Sequence, residues 1–196
     1  MKKYPSLSIM VRSALVDALV LSASFESGHE AIASLNEATK QSRQVIHDKQ
    51  MLGDAPTLLD WATLATALSG LGTRDRGANG TDQLRQAIRI YSDALYPYVP
   101  MRASRDWFRV QEAMAMSLQS LAERERSSSM LCEAFTRSIA AEKGLAAAGA
   151  SPYEEVIPAR DQAHNIIGSL RTEFGDQTAD ECEVAEKEFL KAFGPR

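Results

Sequence analysis

"LDWATLATALSGLG", Leu59 to Gly72, and "RDWFRVQEAMAMSL", Arg105 to Leu118, decide the fold. They hold both tryptophans of the chain, Trp61 and Trp107, and each follows an aspartate. Each Trp has an apolar residue three positions on (Leu64, Val110) and another seven on (Leu68, Met114). That spacing puts the three side chains of each set on one face of a helix. A frame that recurs from residue 61 to residue 107 is the mark of a repeated helical unit.

The second helices repeat as well. "LRQAIRIYSDAL", Leu84 to Leu95, carries a frame of Leu84, Ala87, Tyr91, Ala94 and Leu95. "CEVAEKEFLKAF", Cys182 to Phe193, shows the same offsets in Cys182, Ala185, Phe189, Ala192 and Phe193. Leu131, Ala134, Ser138 and Ala141 fit more loosely, as do Leu35, Ala38, Ser42 and Val45. Small residues let helices approach closely, and a large aromatic fills the remaining gap.

Stop signals place eight helices near 7–25, 29–50, 57–71, 81–97, 104–124, 129–148, 152–173 and 178–193. Ser27–Glu30, Ser151–Glu154 and Thr178–Glu181 match the capping-box pattern. "GANGTD", Gly77 to Asp82, reads as a loop, and "SSS" at Ser127 to Ser129 as an N-cap. Pro158 either kinks the seventh helix or marks its true start after a separate short turn.

This helix-turn-helix unit resembles the tetratricopeptide repeat. Trp61, Leu64, Ala65 and Leu68 stand for the family's first-helix signature, and Ala87, Tyr91 and Ala94 for its second. Ala185, Phe189 and Ala192 reproduce the second set. The unit is longer than the family's usual length of about 34 residues. Gln111 stands where the family has glycine, and the first and fourth pairs lack the tryptophan. "AHNIIGSL", Ala163 to Leu170, is similar to the "W-A-x-x-Q-N-N-L-G" stretch of a longer bacterial type. The resemblance implies an all-α, right-handed α-α superhelix. Its single domain would span 1–196, with about four antiparallel pairs at 7–50, 57–97, 104–148 and 152–193.

The bulk numbers agree with a globular chain: 196 residues, 44% hydrophobic, 24% charged, net charge −4. The acidic balance argues against nucleic acid as a partner, since that needs a concentrated positive footprint. Arg12 and Asp17 interrupt the apolar N-terminal stretch, so a signal peptide is not expected there. No unbroken apolar run is long enough for a membrane span. Cys132 and Cys182 lack metal spacing and read as two buried free thiols. A cytoplasmic location, with no membrane partner, follows from these readings.

The chain has no phosphate-binding glycine motif, no H-E-x-x-H and no G-x-S-x-G. Neither enzyme activity nor a cofactor nor a metal is expected. Of His29, His47 and His164, only His164 is placed to face a groove, and no catalytic partner set accompanies it. The family resemblance implies recognition instead, of a protein or peptide partner in a concave groove lined by first helices. Its contact positions fall on Thr63 and Thr66, on Arg105, Phe108, Arg109 and Glu112, and on Arg160, Asp161 and His164. Arginine forks there would take a carboxylate, with Phe108 as an anchor. Equally, Glu112 and Asp161 could pair with those arginines on a solvated face. A homodimer through an exposed terminal helix face is the second reading, and a small-ligand sensor or helical enzyme is the third.

Overall fold

The computed structural model describes residues 7–97 and 104–193, with no side-chain description for 192 and 193. Among the described residues there are eight α-helices and no strand. They are α1 (Leu7–Phe25), α2 (Gly28–Met51), α3 (Leu58–Arg74), α4 (Ala78–Leu95), α5 (Arg105–Glu125), α6 (Ser128–Ala147), α7 (Ile157–Phe174) and α8 (Asp176–Phe193). A π-helical turn, Pro152–Val156, leads into α7. Helices adjacent in sequence pack on each other: α1 on α2, α2 on α3, α5 on α6, α6 on α7, and α7 on α8. The chain divides into two compact units, Met1–Ala94 and Leu95–Arg196.

In the first unit, Val16 and Ala23 of α1 meet Ala31, Leu35 and Ala38 of α2 and Ala67 and Leu71 of α3 in one core cluster. Glu26 closes the α1–α2 turn by accepting from Ser22 Oγ (2.6 Å) and Ser34 Oγ (2.8 Å). Arg74 Nη2 donates to the Ala23 carbonyl of α1 (2.7 Å), tying the end of α3 to the last turn of α1. The frame on α4 is buried as expected: Leu84, Ala87, Tyr91, Ala94 and Leu95. Tyr91 is sealed, and its hydroxyl meets Thr66 Oγ1 of α3 at 2.8 Å.

"GANG" is not a loop. α4 starts at Ala78 and runs through Gly80. A Cβ on Gly80 would collide with the Asp75 carbonyl, and one on Gly72 would sit 2.7 Å from Leu84 Cγ. Close passage of the end of α3 by the start of α4 is therefore the role of these glycines. As a loop signal they mislead, because only the packing reveals the crowding.

The three expected capping boxes are absent. Ser27 and Ser151 precede their elements without a side-chain cap bond. Thr178 lies inside α8, with its hydroxyl bonded to the Phe174 carbonyl at 3.1 Å. The box that forms is Thr57 with Asp60 at the start of α3. Ser127 caps α6 as expected, and Ser104 caps α5. Pro158 falls in the first turn of α7, directly after the π-helical turn. The second of the two alternatives for that residue is the one observed.

In the second unit, Trp107, Val110, Gln111 and Met114 of α5 are buried, as are Leu131, Ala134, Ser138 and Ala141 of α6. Gln111, standing in the glycine position, is satisfied by Arg137 Nη1 at 2.6 Å. The frame on α8 holds at Cys182, which is buried, and at Phe189, which is half-buried, but not at Ala185. Ala185 is exposed, whereas Ala179, Cys182 and Glu186 are buried. Glu186 reaches Lys143 Nζ of α6 at 3.0 Å, which holds the acidic residue in the apolar position. Ala192 and Phe193 of that frame lie outside the described side chains.

The cysteines are not free thiols. Cys132 of α6 and Cys182 of α8 form a disulfide, with Cα atoms 5.3 Å apart. Their separation of 50 residues hides this from the sequence, and the packing of α6 on α8 creates it. Disulfides persist in oxidising compartments, so the cysteines no longer argue for the cytoplasm.

Candidate functional site

The first unit has a cleft of about 370 Å³ between α1, α2 and the start of α3. Val16, Val45 and Leu59 give it apolar surface, while Ser13, Ser42 and Thr63 supply hydroxyls. A second hollow of about 260 Å³ adjoins it between α1 and α3, lined by Asp17, Val20, Leu21, Ser24, Thr63 and Thr66. Asp17 and Thr63 line both, so the two hollows lie side by side and together make up the α1–α2–α3 depression.

Its charges are fixed by the turn between α2 and α3. Asp60 accepts from the Thr57 backbone N–H (2.6 Å), the Thr57 hydroxyl (2.8 Å) and Lys49 Nζ (2.6 and 2.7 Å). The Lys49–Asp60 pair is largely shielded, with side-chain exposures of 18% and 9%. Capping and ion pairing thus consume Asp60 and Lys49 together. Asp17 stands apart. Among the described residues no hydrogen bond or ion pair reaches it. Asp17 is exposed, and the partial burial that its neighbours impose pushes its carboxyl up, with the nearby Asp60 carboxylate adding to the rise. The depression therefore offers apolar surface, hydroxyls and one uncompensated carboxylate.

The sequence-derived contact positions separate on the structure. Thr63 and Thr66 line the depression, although Thr66 also holds Tyr91 and Thr63 bonds the Leu59 carbonyl at 2.8 Å. Burial, opposed by the Thr66 bond, pushes the Tyr91 phenol above its ordinary range. Arg105 and Arg109 of α5 both grip Glu155 in the π-turn. Arg105 Nε lies 2.8 and 3.1 Å from its two carboxylate oxygens, and Arg109 bonds Oε1. Burial pushes the Glu155 carboxyl up, but hydrogen bonds from Arg105 and then Arg109 outweigh it and hold the group below its ordinary value.

Phe108 is not a groove anchor. It is 1% exposed, lies against Gly144 of α6, and its ring centroid is 5.2 Å from that of Trp107 in an edge-to-face pair. Glu112 pairs with none of the arginines by a direct bridge. Burial and then Glu155 raise its carboxyl, against the pull of Arg109. Arg160 faces its neighbour Asp161 at 3.6 Å, and His164 is exposed. The internal pairing weighed at the sequence level is thus present, but the acid that the α5 arginines hold is Glu155 of the π-turn rather than Glu112.

Asp17, Lys49, Asp60 and Glu155 escape sequence reading for a common reason. Each acquires its role from a residue far along the chain or across a turn. Asp17 reads as an interruption of an apolar run, and Glu155 as the neighbour of a capping Glu154. Compared with known protein families, curated proteins and solved structures, the chain matches none.

Proposed function

We propose that this protein is a non-enzymatic interaction module of tetratricopeptide-like helical hairpins, and that a segment of a partner protein lies in the α1–α2–α3 depression. One observation carries the reading: a depression with apolar surface is lined by an exposed carboxylate, Asp17, that has no hydrogen-bond or ion-pair partner among the described residues. A segment with apolar side chains and one lysine or arginine complements it, because a cation there would pair with the unpartnered Asp17 carboxylate. The repeat-like frames on α3 and α4 support the scaffold part of the proposal. The right-handed superhelix, and a concave face along it, belong to this proposal too.

The groove first read from Arg105, Arg109 and Phe108 is the weaker site, since Glu155 occupies both forks and Phe108 is core. Affinity purification from the native host separates the two. Asp17→Lys and Thr63→Trp should each lose a partner that wild-type protein and Arg160→Glu retain. A partner kept by both cleft variants and lost by Arg160→Glu would return the site to the second unit.

A further inference from the structure

α1 has a second apolar face that its own fold leaves open. At roughly 100° per residue, Ile9, Val16 and Ala23 point one way, and all three are buried. The opposite side carries Leu7, Val11, Ala14, Ala18, Leu21 and Phe25, in alternating steps of four and three, and all six are exposed. Leu7 is 76%, Val11 61%, Leu21 60% and Phe25 84% exposed, and no charged side chain interrupts the row. A helix apolar on both sides is normally covered on both. Among the described residues α1 is also the one helix long and apolar enough to cross a membrane, so a bilayer competes as the cover.

We propose that a second copy of this chain covers the face, with the two α1 helices antiparallel about a two-fold axis beside residue 16. The row reads the same in both directions about that point: 7 with 25, 11 with 21, 14 with 18. An isologous interface needs this self-complementarity. Leu7 then meets Phe25 of the second copy, Val11 meets Leu21, and the paired alanines let the helices approach closely at the crossing. With Met10 and Leu15 flanking the row, the pair closes on the order of 1,000 Å², the lower bound for a specific interface.

Light scattering and sedimentation on the full chain test the proposal. Wild-type protein should reach twice the 21.5 kDa chain mass at micromolar concentration. Val11→Lys should weaken the dimer at least tenfold, with helicity and melting midpoint kept because the position is exposed. Ala18→Glu gives a second, independent disruption. Val11→Lys with Leu21→Glu should restore the dimer, since antiparallel register puts each Lys opposite a Glu. A wild-type monomer overturns the proposal, as does a dimer unmoved by Val11→Lys and Ala18→Glu. Failure of the double variant to recover overturns the antiparallel register. Co-sedimentation of wild-type monomer with vesicles of anionic phospholipid, lost in Val11→Lys, assigns the face to a bilayer instead. Neither Val11 nor Ala18 lines the Asp17 cleft, so their effect on self-association is separate from partner binding; Leu21 does line it, and the double variant is read for self-association alone.

Discussion

Gly144 and Phe108 show how one missing carbon sets a helix spacing. Gly144 sits inside α6, where alanine would ordinarily favour the helix by about 1 kcal/mol. A Cβ there, however, would overlap the Phe108 ring of α5, which the core holds at 1% exposure. Overpacking costs about 1–3 kcal/mol, so the clash wins and Gly144→Ala should lower stability by up to about 2 kcal/mol. Denaturant titration checks this, and Phe108→Leu in the same chain should recover part of the loss. The two tryptophans divide in the same way. Trp107 is 3% exposed, and Trp107→Ala should cost about 3–5 kcal/mol. Trp61 is only half-buried, so Trp61→Ala should cost clearly less in the same titration. Matching frames in the sequence predict equal packing for the pair. The difference arises because a frame reports which face a residue occupies, not how completely its neighbours cover it.

The junction between α5 and the π-turn before α7 depends on Glu155. Two arginines hold its carboxylate below the ordinary range, so the folded state binds that proton less readily than the unfolded chain does. Stability from this group is therefore fully present above the unfolded glutamate pKa of about 4.3. It is lost as pH falls through the lowered folded value. Glu155→Gln should remove that part of the acid dependence and cost about 1–2 kcal/mol near neutral pH, after discounting for half-exposed arginines. Thermal melts from pH 7 to pH 3 on both proteins test it. A Glu155→Gln curve parallel to wild type throughout would show that the clamp contributes nothing. The helices themselves were legible, since three- and four-residue periodicity is a local property and seven of the eight begin within three residues of their expected starts. Expected caps fared worse. Thr57–Asp60 forms because Lys49 and Thr57 both hold Asp60 in place, whereas Ser27 and Ser151 make no such bond.

Across the whole chain, the disulfide is the feature that periodicity could not reveal. α6 and α8 are separated by the π-turn and α7, and only their packing brings Cys132 to Cys182. The cleft was half legible: Thr63 and Thr66 came from the repeat frame, but Asp17 needed α1 folded against α3. The bond closes a loop of 50 residues inside the second unit. By loop-closure entropy such a link stabilises by roughly 4 kcal/mol, chiefly by restricting the unfolded chain. The units carry one tryptophan each, so each can be followed separately. Trp61→Phe leaves Trp107 to report residues 95–196, and Trp107→Phe leaves Trp61 to report residues 1–94. Reductant should lower the urea midpoint seen by Trp107 strongly and the midpoint seen by Trp61 much less. Cys132→Ser should reproduce the reduced behaviour and make Trp107 insensitive to reductant. Two reactive thiols per chain in unfolded, non-reduced protein would show that the bond is absent, and the cytoplasmic expectation would then regain its cysteine argument.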